Sequence, residues 1–144
     1  MRKLYTAFKG SHNTSFQLVN QINGDKLFLT NSFQGLEKDI LSLRTDYDAI
    51  YMLGIDKNLK NSIRIETCAN YNGELVNTLF DILSLEKEIK DSGIIYTVSN
   101  KPTAYLCNAA YYHMLERNRN TVFIHIPSMK GMNPSLMNKL LQMV

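Results

Sequence analysis

Short runs rich in β-branched and aromatic residues alternate with longer segments of helical periodicity along the whole chain. This alternation limits the fold more than any single residue does. The β-like runs are Leu4 to Phe8, Lys26 to Thr30, Ala49 to Leu53, Asn61 to Ala69, Gly93 to Val98 and Thr121 to Ile126. Between them, Phe16, Leu18, Val19 and Ile22 recur at helical spacing, as do Leu36, Ile40, Leu41 and Leu43. Leu75 to Ile89 reads as largely helical, Ala104 to Arg117 as a helix with Leu106, Ala109, Ala110, Met114 and Leu115 available for burial, and Pro134 to Val144 as a last helix. Asn23-Gly24-Asp25 ends the first helix, Gly54 ends the third strand, and Tyr71-Asn72-Gly73 is a turn. Strands alternating with helices predict parallel pairing through helical crossovers. The expected architecture is α/β, a three-layer α/β/α sandwich with a mostly parallel twisted sheet. No repeat or linker divides the chain, so residues 1–144 are read as one domain.

Composition removes several classes of function. The chain is 44% hydrophobic and 20% charged, the balance of a globular protein. Sixteen basic and 13 acidic residues leave a net charge of +3, and the lysines are scattered, so no nucleic-acid footprint is implied. No apolar run approaches the roughly 20 residues needed to span a bilayer. Met1-Arg2-Lys3-Leu4-Tyr5 runs straight into a strand pattern without the apolar stretch of a signal peptide, which makes the cytoplasm the expected location. Free thiols are the expectation there for Cys68 and Cys107. Gly54-Ile55-Asp56-Lys57 lacks the glycines of a phosphate loop.

Three residues carry candidate chemistry. Cys107 falls in the first turn of the Ala104–Arg117 helix, where unpaired N–H groups and the helix dipole favour a thiolate. Small buried apolar packing is the commoner fate of a lone cysteine. His125 sits between two isoleucines at the carboxyl end of a strand, where functional side chains collect in α/β sheets; a hydrogen-bonded edge histidine accounts for it equally. Glu66 alternates with Ile63 and Ile65, and so faces with Arg64 and Cys68. It could orient a base histidine, be solvated, or pair with Arg64. His12, in a loop, and His113, off the face of Cys107, are weaker candidates.

Taken in order, these segments resemble the pyroglutamyl peptidase (pyrrolidone-carboxylate peptidase) family of cysteine peptidases. Ser99-Asn100 followed by Tyr105-Leu106-Cys107-Asn108 is similar to the family's Ser-Asn…Tyr-Leu-Cys-Asn nucleophile segment. Phe123-Ile124-His125-Ile126-Pro127 resembles its Phe-Ile-His-Val/Ile-Pro segment, and Ile65-Glu66 with Ala69 resembles its Ile-Glu-Arg-x-Ala stretch, with Thr67 in place of the arginine. Leu4-Tyr5-Thr6-Ala7-Phe8, Asn13-Thr14-Ser15 and Pro134-Ser135-Leu136-Met137 are similar to the opening strand, the Asn-Pro-Ser/Thr stretch and the start of the last helix. The resemblance implies that Cys107 is the nucleophile, His125 the general base and Glu66 the residue orienting it, acting on an N-terminal pyroglutamyl amide through a thioester. It implies no metal or cofactor, a peptide or small amide as substrate, and self-association as an open option.

The chain also departs from the family. It is short, and a long insertion after the glutamate strand has no counterpart beyond Asn72. Phe8 matches the first of two aromatics that hold the lactam ring, but Lys9-Gly10-Ser11-His12 replaces the second. Pro102-Thr103 stands where the family has Ala-Gly, and threonine does not take a left-handed backbone as cheaply as glycine. The triad is therefore better matched than the substrate pocket, and an altered substrate is expected. The alternative is a non-catalytic or divergent relative that binds peptides or acts as an interaction module.

Overall fold

The structure, a computed structural model, describes all 144 residues. Six strands form the main sheet: β1 (Lys3–Phe8), β2 (Asp25–Leu29), β3 (Ala49–Ile55), β4 (Ser62–Glu66), β7 (Ile95–Ser99) and β8 (Thr121–Ile126). A hairpin of β5 (Cys68–Tyr71) and β6 (Glu74–Asn77) stands apart from it. The sheet order is β2-β1-β3-β8-β4-β7. Pairing is parallel throughout except between β4 and β8, where Arg64 faces His125 and Glu66 faces Phe123. The expected mostly parallel sheet is present, and its one reversal falls at the two strands that carry Glu66 and His125.

Five helices cover both faces: α1 (Thr14–Gln21), α2 (Phe33–Leu41), α3 (Ile82–Asp91), α4 (Tyr105–Arg117) and α5 (Pro134–Met143). Each buries an apolar stripe on the sheet, which makes three layers. One core gathers Leu18 and Val19 of α1, Leu85 and Ile89 of α3 and Leu136 and Leu140 of α5 against Ile63, Ile65, Val122, Ile124 and Ile126. The other gathers Leu36 and Ile40 of α2 and Ala110, Tyr111, Met114 and Leu115 of α4 against Leu4, Phe8, Ile50, Met52 and Phe123. Strand residues thus alternate between two cores, and each fully buried aliphatic side chain contributes about 1.5–3 kcal/mol.

Helix starts follow their capping residues. Asn13 accepts from the N–H groups of Ser15 (2.9 Å) and Phe16 (3.1 Å), Ser32 caps α2, Asp81 caps α3, and Asn133 with Pro134 opens α5. Only α4 has no side-chain cap, because Ala104 stands at that position.

The structure differs from the sequence reading in three places. The helix expected from Leu75 begins at Ile82, and Glu74–Asn77 instead pairs with Cys68–Tyr71 around the Asn72-Gly73 turn. The alternating run from Asn61 to Ala69 is two strands, broken at Thr67, whose N–H and hydroxyl both bond the Ser99 carbonyl. Strand β3 continues through Gly54 to Ile55, because β8 pairs with it along its full length.

Candidate active site

Parallel pairing of β3 and β8 places Gly54 beside His125 at the carboxyl ends of both strands. Antiparallel pairing of β8 with β4 then brings Arg64 directly opposite His125, with Glu66 diagonal to it on the same face. Both Glu66 and His125 are nearly fully buried, at 1% and 3% exposure. The His125 Nδ1 lies 2.9 Å from Glu66 Oε2. A buried carboxylate accepts the Nδ1 proton, which leaves Nε2 free of it. The same Oε2 accepts from Arg64 Nε at 2.6 Å, so the ion pair with Arg64 and the contact with His125 coexist on one oxygen. The other end of Arg64 binds Asp56 through Nη1 at 2.8 Å. Burial raises the Asp56 carboxyl, but the Asn58 N–H that donates to it at 2.9 Å and the Arg64 guanidinium together hold it below its ordinary value.

Cys107 is the third residue of α4 and half-buried. Its sulfur rests over Gly54: a Cβ built on that glycine would stand 3.2 Å from Sγ and 2.7 Å from the Phe123 ring. Only a residue without a side chain admits the sulfur this close to the strand that pairs with His125. No hydrogen bond joins Cys107 to His125 in this structure. Burial, then the carboxylates of Glu66 and Asp56, push the thiol up to about 11, against the opposing effect of Arg64. Cys107 therefore rests as a thiol rather than the thiolate expected of a helix start.

Two contacts lock α4 in place. The Tyr111 hydroxyl donates to the Glu66 carbonyl at 2.8 Å, and the Asn108 side chain bonds both the N–H and the carbonyl of Asn70, at 2.9 and 2.8 Å. The N–H groups of Leu106 and Cys107 have no acceptor within the protein. Backbone strain at the helix start sits at Tyr105, with φ of 57°, rather than at Thr103. Tyr105 is 85% exposed.

Cys107, His125 and Arg64 line a cleft of about 610 Å³, together with Asp56 and Lys57 from the loop after β3 and Tyr105 from α4. Phe8 does not line it; it is buried at the end of β1 in the core beneath α2 and α4. His12 is exposed in the β1–α1 loop, and His113 lies 3.7 Å from Glu37, away from the cleft. Cys68 is buried and free. No three His, Cys, Asp or Glu side chains converge as a metal set. No helix is long and apolar enough to cross a membrane. Arg64 enters the site as more than a partner of Glu66; its neighbours Ile63 and Ile65 already signalled that it shares a face with the glutamate, but the strand opposite was not readable.

The sheet order and the helices on both its faces make an α/β/α sandwich whose fold matches that of solved pyrrolidone carboxyl peptidases. Solved structures similar to it include pyrrolidone carboxyl peptidase from Thermus thermophilus (TM-score 0.78, 19% identity, 98% of this chain and 96% of that one). Pyroglutamyl peptidase I from Bacillus amyloliquefaciens is similar at TM-score 0.78 and 21% identity, over 99% and 92% of the two chains. Pyrrolidone carboxyl peptidase from Thermococcus litoralis is similar at TM-score 0.74 and 17% identity, over 99% and 91%. No family model and no curated protein matches the chain.

Proposed function

We propose that this protein is a cysteine peptidase or amidase that cleaves an N-terminal pyroglutamyl or related small amide. The observation that carries the reading is the buried Glu66–His125 contact of 2.9 Å beside Cys107, at the carboxyl ends of β3 and β8. Because Cys107 rests as a thiol, its proton passes to His125 as the sulfur attacks the substrate carbonyl. Glu66 supports the imidazolium that forms. The free N–H groups at the start of α4 stabilise the oxyanion. The C–N bond then breaks, with His125 returning the proton to the departing amine. Water, giving a proton to His125, attacks the thioester; the acid leaves, and Cys107 regains its proton.

The test is hydrolysis of a pyroglutamyl-linked reporter amide by the wild type and by Cys107→Ser. Turnover lost in the variant supports the reading. Turnover that survives it rejects Cys107 as nucleophile. A wild type inactive on this reporter and on a panel of small N-terminal amides rejects the activity.

A further inference from the structure

We propose that Arg64 is a positioning residue that, itself anchored on Asp56, aims the Glu66 carboxylate at His125. The inference rests on the reading of His125 as the general base. Arg64 is held at two points, Nε on Glu66 Oε2 at 2.6 Å and Nη1 on Asp56 at 2.8 Å, and its Nη2 lies 3.4 Å from His125 Nδ1. Its side chain is 26% exposed, against 1% for Glu66 and 3% for His125.

The oxygen that Arg64 fixes is the one His125 uses. Without the Nε contact, the Glu66 carboxylate can turn about its last bond and leave Nδ1. The nearer neighbour of Nδ1 is the Glu66 oxygen, which can only accept, so Nδ1 carries the hydrogen and the more distant Arg64 Nη2 makes no hydrogen bond to it. The charged or titratable groups around His125 are Arg64 and Glu66 from β4, Asp56 and Lys57 from the loop after β3, and Tyr105 and Cys107 from α4. The resemblance places an arginine after the glutamate, where Thr67 stands; Arg64 instead precedes it.

The experiment reads by nitrogen NMR which His125 ring nitrogen carries the hydrogen, with reporter hydrolysis alongside, in the wild type, Arg64→Gln, Arg64→Lys and Asp56→Asn. In the wild type the hydrogen is expected on Nδ1. Arg64→Gln, which releases the Glu66 carboxylate, is expected to shift the hydrogen toward Nε2 and to lower kcat about tenfold or more with KM little changed. Arg64→Lys, which keeps the charge without the Nε geometry, is expected to do the same. Asp56→Asn, which frees only the far end of the guanidinium, is expected to give a smaller change in the same direction. A folded Arg64→Gln with the wild-type tautomer and kcat overturns the proposal. Should Arg64→Gln fail to fold, a wild-type tautomer in Arg64→Lys overturns it. A wild type that hydrolyses no reporter rejects the proposed activity instead, and the tautomer still decides the role of Arg64.

Discussion

The sulfur of Cys107 lies against the backbone of Gly54, 3.2 Å from where a Cβ would stand, and Gly54 is the strand neighbour of His125. The glycine therefore sets how closely the thiol can approach the sheet. Gly54→Ala puts its methyl 2.7 Å from the Phe123 ring. The expected cost is about 1–3 kcal/mol of stability from overpacking, read by urea unfolding. An unchanged midpoint would show that Phe123 yields freely.

Glu66→Gln leaves Arg64 and His125 without their shared carboxylate. Removing one partner of a buried pair costs about 3–5 kcal/mol, and an amide can present its donor to Nδ1 and reverse the tautomer. Urea unfolding should show the loss, and reporter turnover should fall by about a thousandfold or more. Wild-type turnover in a folded variant would exclude Glu66 from orienting the base.

Alkaline pH should weaken the fold through Cys107. Burial raises its thiol from 9.0 to about 11, so the folded protein binds the proton more tightly than the unfolded chain does. The stability this represents is complete below about pH 9 and is lost as pH rises through about 11. It is on the order of 2 kcal/mol. Denaturation curves across that range should fall less steeply for Cys107→Ala than for the wild type. Parallel curves would place the thiol in a wetter setting.

Tyr105 adopts φ of 57° with its side chain 85% exposed. A left-handed backbone costs an ordinary residue about 1–2 kcal/mol, and glycine escapes that cost. Tyr105→Gly should therefore raise the melting temperature, with a gain of up to about 1 kcal/mol after the greater freedom of unfolded glycine is allowed for. Tyr105→Ala should not. Equal effects from both would locate the change in the tyrosine ring rather than in the backbone.

Much of the layering was legible because it is local. Alternating Ile63 and Ile65, or Val122 and Ile124, assign a strand's faces without knowledge of its neighbours. Helix α4 and strand β8 were bounded in sequence almost as they stand. The hairpin of β5 and β6 was missed because Leu75 and Val76 fit a helical stripe as well as a strand; only pairing with Ala69 and Asn70 separates the two. The break at Thr67 was missed for the same reason, since its partner, Ser99, is far along the chain.

By itself, the sequence determined the order of elements, the face each side chain takes and the residue types available for chemistry, because periodicity and capping act over a few residues. The tertiary structure alone decided which of them meet. The reversal of β4 against β8 puts Arg64 opposite His125 and lets one oxygen of Glu66 serve both. It also decided that Cys107 rests as a thiol: desolvation and two carboxylates from distant parts of the chain raise it against the pull of Arg64, and neither can be read from the residues around the cysteine.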